Sequence, residues 1–163
     1  MARGTCIDPG VSLDPIVIAI SLGFFCGIPE AHVTLRRYVV ARVLIVDDVE
    51  IVRKALQVGV QKMGHYAEGA SDAREALALA RQNPPDLALV DYRMPGMDGV
   101  AFFDAMRTEL GARCPKVLFV SATPPEEVRA KLRPAGLEPS GFVRKPFHLD
   151  DLWRVVSDVL QAA

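Results

Sequence analysis

The chain has little of what marks several large protein classes. Lys and Arg number 19 against 20 Asp and Glu, for a net charge of −1, and no basic run exceeds the pair Arg36-Arg37. No overall field therefore draws it to nucleic acid or to an anionic membrane. Cysteine is scarce: Cys6, Cys26 and Cys114 are far apart, with no C-x-x-C pair and no adjacent His. A disulfide framework and a zinc site are both excluded on that spacing, and reduced thiols in a cytosolic protein are the economical expectation. Internal repeats and low-complexity tracts are absent as well, which removes solenoids and arrays. The longest early apolar run, Ile16 to Ile28, would span only about 20 Å as a helix against the ~30 Å of a hydrocarbon core. What remains is a globular composition, 50% hydrophobic and 24% charged over 163 residues, enough for one domain with a real core and an appendage.

The appendage is expected over residues 1–40, which show no amphipathic period. Three readings of it stand: a non-structural extension left by an upstream start, a docking or capping element, or a membrane-associated segment. A secretory signal fits poorly, because Asp8 and Asp14 precede the apolar run and no small-x-small cleavage site follows.

Residues 41–163 are expected to form the domain, for apolar runs and helical periods alternate regularly from Arg42 onward. Such alternation predicts successive βα units and a mostly parallel sheet. Strands are expected at 42–46, 65–69, 87–90, 116–120 and 141–144. Helices are expected at 50–63 with Ile51, Ala55, Val58 and Met63 inward, at 72–82 capped by Ser71, at 100–110 with Phe102, Phe103 and Met106 inward, at 126–132 and at 149–160. The segment Arg133-Pro-Ala-Gly-Leu-Glu-Pro139 is expected to cut the fourth helix short.

The chemistry lies where the strands end. The run Leu87-Ala-Leu-Val90 delivers Asp91 into the turn Tyr92-Arg-Met-Pro-Gly-Met-Asp-Gly99, and Val43-Leu-Ile-Val46 delivers Asp47 and Asp48. Functional groups in open parallel sheets gather at the carboxyl ends of strands. Three carboxylates gathered there need a cation, and a hard one with oxygen ligands such as Mg²⁺ suits them. Ser121 ends the fourth strand and Lys145 the fifth, so a hydroxyl and a mobile ammonium complete a set for phosphoryl transfer to a carboxylate. Asp91 is placed to act as nucleophile and form an acyl phosphate. Lys145 pairs with Asp91 before reaction and with the phosphoryl group after it. Bland alternatives exist for each residue alone: Asp47 and Asp48 as helix caps, Asp91 as a turn former, Ser121 as an N-cap. None accounts for all four strand ends together. His65, His148 and Asp98 read as packing, surface and cap residues.

Joined in order, Leu44-Ile-Val-Asp-Asp48, Asp91-Tyr-Arg-Met-Pro-Gly-Met-Asp-Gly99, Ser121-Ala122 and Lys145-Pro146-Phe147 resemble the receiver domain of two-component response regulators, over about residues 41–163. The resemblance implies a doubly wound, flavodoxin-like (βα)5 fold with a five-stranded parallel sheet. It implies phosphorylation of Asp91 by a histidine kinase or histidine phosphotransfer protein. It further implies Mg²⁺ held by Asp48, Asp91 and the backbone carbonyl of Arg93, with Asp47 acting largely through water, and a cis Lys145-Pro146 bond. Switching would run through Ser121 and the aromatic ring of Phe142, which lacks the hydroxyl a Tyr would offer. Arg93 and Thr123 lie near the expected path of a hydrolytic water. Because the chain ends after the fifth helix, a stand-alone cytoplasmic regulator similar to the chemotaxis type is expected, acting on a downstream protein rather than on nucleic acid or membrane. Two other functions compete: a receiver-like interaction module that is never phosphorylated, and an aspartyl-phosphate hydrolase. The hydrolase is disfavoured because Arg93, not a second Asp, stands two residues after Asp91.

Overall fold

Five strands form, each followed by a helix. The computed structural model describes residues 40–162, so the expectations for the extension fall outside the described residues, save at Val40. In chain order the elements are β1 (Arg42–Val46), α1 (Glu50–Lys62), β2 (Tyr66–Ala70), α2 (Ala73–Gln82), β3 (Leu87–Val90), α3 (Gly99–Leu110), β4 (Lys116–Ser121), α4 (Pro125–Leu132), β5 (Gly141–Arg144) and α5 (Leu149–Gln161). Single 3₁₀ turns follow α3 and α4, at Gly111–Arg113 and Arg133–Ala135. All strand pairs are parallel and their order is β2-β1-β3-β4-β5.

That order reverses between β1 and β3, where the chain first winds outward to β2 and then back across. Helices leaving the two strands go to opposite faces, so a crevice opens beyond their carboxyl ends. The side-chain period of two divides β1 between both faces. Val43 and Ile45 pack with Leu56, Val60, Leu152 and Val156 from α1 and α5. Leu44 and Val46 pack with Ala76, Ala80, Phe102, Met106 and Val128 from α2, α3 and α4. Burial on two faces is why the central strands read as continuous rather than alternating apolar runs.

Two local expectations are corrected. In α1 the buried stripe is Leu56, Gly59 and Val60, with Val52 and Met63 packed beside it, while Ile51 is 77% exposed. Both stripes have helical spacing, and the sheet selects the one that faces α5. The side chain that caps α2 is Asp72, which accepts from the amides of Arg74 and Glu75 at 2.8 and 2.9 Å. Ser71 instead donates from its hydroxyl and amide to the Glu75 carboxylate, at 2.8 and 2.7 Å. The early end expected for the fourth helix holds, at Leu132, and the two-proline segment beyond it is tied down. Gly136 takes a left-handed φ of 60°, Leu137 is buried, and the Arg107 guanidinium of α3 donates to the carbonyls of Ala135 and Gly136 at 2.9 and 2.8 Å.

The half-buried His65, just before β2, accepts a hydrogen bond at Nδ1 from the Ala41 amide at 3.3 Å. Burial lowers its pKa from 6.5, partly offset by the charge of Asp86. The unfolded imidazole then takes up its proton first as pH falls through 6.5, while the folded one resists. Stability is therefore expected to decline on acidification below that point, with a shallower slope in His65→Gln. Urea midpoints on either side of pH 6.5 check this, and equal slopes in the two proteins would contradict it.

Candidate functional site

The strand ladders run one step beyond β1 and β3. The Asp91 amide donates to the Val46 carbonyl at 2.8 Å and the Asp47 amide to the Ala70 carbonyl at 3.3 Å. Both carboxylates are thereby fixed to the sheet at the switch point. Asp47 is 1% exposed and Asp91 9%, whereas Asp48 faces solvent. Asp47 also shapes the entry to α1: its Oδ1 accepts from the Val49 amide at 2.9 Å, and its carbonyl accepts from the Arg53 guanidinium at 2.6 Å.

Lys145 reaches this pair from β5. Its backbone amide donates to the Ser121 carbonyl at 2.9 Å, and the cis Lys145-Pro146 bond turns the chain beyond it. Its Nζ lies 2.5 Å from Asp47 Oδ2 and 3.1 Å from Asp91 Oδ2. One ammonium thus bridges the two buried carboxylates. Ser121, 5% exposed at the end of β4, accepts at Oγ from the Thr123 amide at 3.2 Å. The residues expected from sequence at four strand ends are therefore gathered at one edge of the sheet.

Oxygens of Asp47, Asp48 and Asp91 lie within 4.8 Å of one another. Three carboxylates against one ammonium leave an excess of negative charge and an all-oxygen donor set, which fits a hard divalent cation such as Mg²⁺. Asp48 opens onto a cleft of about 500 Å³ that Arg93, Asp98 and Glu127 also line. Asp98 is turned to other work, capping α3 through the Ala101 amide at 2.8 Å.

Several contacts were not foreseen from the sequence. Arg93 donates from Nε to the hydroxyl of the buried Thr123 at 3.1 Å, and its Nη2 lies 3.9 Å from Glu127 of α4. Phe142 of β5 stacks on Phe119 with centroids 5.8 Å apart and planes 19° from parallel, and the Arg129 guanidinium covers it at 4.5 Å. The sequence of α4, acidic at Glu126 and Glu127 and basic at Arg129 and Lys131, carried no local sign of these roles. Gly99 also matters, since its close approach to β3 sets the entry of α3.

A doubly wound α/β domain with an acidic site at its switch point is the class that this geometry defines. Comparison with known proteins narrows it. The profile of the response regulator receiver domain matches residues 43–157, and the chain belongs to that family. It is 36% identical over 120 residues to the regulatory protein AtoC of Escherichia coli K12, covering 74% of this chain and 25% of AtoC. It is 32% identical over 111 residues to the transcriptional regulatory protein PhoP of the same strain, covering 68% of this chain and 48% of PhoP. The chain thus spans less than half the length of these curated relatives. Among solved structures, chemotaxis protein CheY4 of Vibrio cholerae superposes with a TM-score of 0.68 at 30% identity, covering 74% of this chain and 99% of that one. Receiver domains are signalling modules of two-component systems, supplied with phosphoryl groups by histidine kinases and binding Mg²⁺ through acidic residues. Among the described residues, no helix is long and apolar enough to cross a membrane.

Proposed function

We propose that residues 41–163 form a phosphoryl-accepting receiver in which Asp91 is the phosphoacceptor. The single observation that carries this is the Lys145 ammonium shared between Asp47 and Asp91. It sets a positive charge against the Asp91 carboxylate at the strand end and stands ready to meet a phosphoryl oxygen. An oxygen of Asp91 attacks the phosphorus of a phosphohistidine on a kinase or phosphotransfer protein. The N–P bond breaks as the O–P bond forms, and the imidazole leaves with the electron pair and takes a proton. Lys145 and the Ser121 hydroxyl then bind phosphoryl oxygens, and no separate strong base is required. Mg²⁺, when bound, supplies further neutralisation of phosphoryl charge; Asp48, Asp91 and the Arg93 carbonyl would hold it, with Asp47 contributing largely through water.

The likeness to chemotaxis protein CheY4 supports a regulator that acts by binding a protein partner, whether as a messenger, a phosphate sink or a relay intermediate. The domain catalyses only its own phosphorylation and slow dephosphorylation. Ser121 and Phe142 are its expected switch pair. The test is intact mass after incubation with Mg²⁺ and acetyl phosphate. One phosphoryl adduct is expected on the wild type and none on Asp91→Asn. No adduct on the wild type, or an equal one on the variant, would overturn the assignment.

A further inference from the structure

The ring expected to report phosphorylation is held in place here. Phe142 lies between Phe119 and the Arg129 guanidinium and has no hydroxyl to offer a new partner. A second linkage leaves the same site by another route. Arg93, two residues after Asp91, donates to Thr123 Oγ1 at 3.1 Å, while the Thr123 amide donates to Ser121 Oγ at 3.2 Å. Thr123 runs directly into Pro124 and Pro125, the N-cap and first residue of α4. Two prolines fix φ and supply no amide, so this connection is stiff and has few alternative hydrogen bonds. The far end of α4 is anchored through Arg107 and the buried Leu137. A displacement of Thr123 therefore acts on the start of α4 while its end stays in place.

We propose that Arg93 is a positioning residue that couples phosphorylated Asp91 to the first turn of α4, an inference that rests on Asp91 being the phosphoacceptor. Its present partners are weak ones. Thr123 offers one neutral hydroxyl, and Glu127 stands 3.9 Å away with both side chains at least half exposed. A phosphoryl group on Asp91 offers oxygens of greater charge, which a guanidinium fork can bind in pairs. Arg93 shares the cleft with Asp48 and so lies on the phosphoryl side of the site. On phosphorylation Arg93 transfers to the phosphoryl oxygens, Thr123 loses its donor and Glu127 its nearby cation, and the start of α4 loosens.

Amide hydrogen exchange on the full chain, with and without Mg²⁺ and acetyl phosphate, tests this, with adduct formation followed by mass in the same samples. In the wild type, amides 126–130 are expected to exchange about tenfold faster once the adduct forms, while those of Lys131 and Leu132 at the end of the same helix change little. In Arg93→Ala, whose backbone carbonyl is kept, amides 126–130 are already fast and respond little in whatever fraction carries the adduct by mass. A full wild-type response in Arg93→Ala would overturn the inference, as would an adduct on the wild type without any change at 126–130. Failure of Arg93→Ala to take the adduct would make Arg93 part of the acceptance step and also overturn it. No adduct on the wild type would instead remove the phosphoacceptor assignment itself.

Discussion

Replacing Lys145 by methionine is expected to destabilise the domain by about 3 kcal/mol, the magnitude typical of breaking a buried ion pair by removing one partner. The Lys145 side chain is 17% exposed, and those of Asp47 and Asp91 are 1% and 11% exposed. Their charges are largely out of water, so little solvent screening softens the loss. Methionine retains the length of the stem, which separates the effect of charge from that of packing. The variant places two uncompensated carboxylates together with Asp48 at one strand edge. A divalent cation relieves that repulsion, and binding to the folded state alone stabilises it in proportion to affinity. Magnesium is therefore expected to raise the urea midpoint of Lys145→Met more than that of the wild type. Equal shifts in the two proteins would show that Lys145 and the cation do not act on the same carboxylates.

The strand ends were legible because sheet position alone decides them. A strand buried on both faces must be apolar throughout, so the first charged residue after it marks where the chain emerges, as at Asp47 and Asp91. By contrast β5 is an edge strand with Arg144 exposed, and Lys145 was legible from its place before Pro146. The hydroxyl at Ser121 and the cap at Asp98 were legible for the same local reason. Facing was less so. In α1 two stripes have equal helical spacing, and only contact with Leu152 and Val156 of α5 favours Leu56 and Val60. The cap of α2 differed by one residue because Ser71 and Asp72 can both accept from free amides, and Glu75 takes Ser71 for itself. The prolines in the segment after α4 marked the helix end correctly. What holds that segment is Arg107, some thirty positions away in sequence, and reach across elements has no local signature. The same limit hid the contacts of Arg93 with Thr123 and Glu127, and of Arg129 with Phe142, which now bear most directly on how a signal would leave the site.

Gly99→Ala is the substitution expected to join fold and site most visibly. Gly99 opens α3, and its amide donates to the Tyr92 carbonyl at 2.9 Å. That bond draws the helix start against the end of β3, and a Cβ there would collide with the Asp91 backbone carbonyl. It would also lie 3.0 Å from Phe119 Cε1 and 3.1 Å from Tyr92 Cα. Backbone cannot yield as the end of a flexible side chain can, so either α3 withdraws or Asp91 shifts. Overpacking of this kind destabilises by about 1–3 kcal/mol, and the upper part of that range is expected because two of the three contacts are backbone. A reacting atom misplaced by about 1 Å can lose about a hundredfold in rate, so the acetyl phosphate adduct should form much more slowly even in the fraction that remains folded. Gly96→Ala is the control. Gly96 has φ of 81° with open space around its Cβ position, so alanine there meets only backbone strain of about 1 kcal/mol and should leave the adduct rate nearly unchanged. Urea midpoints and adduct rates for both variants decide the matter. A Gly99→Ala protein as stable and as fast as Gly96→Ala would mean that close packing of α3 on β3 does not position the Asp91 carboxylate.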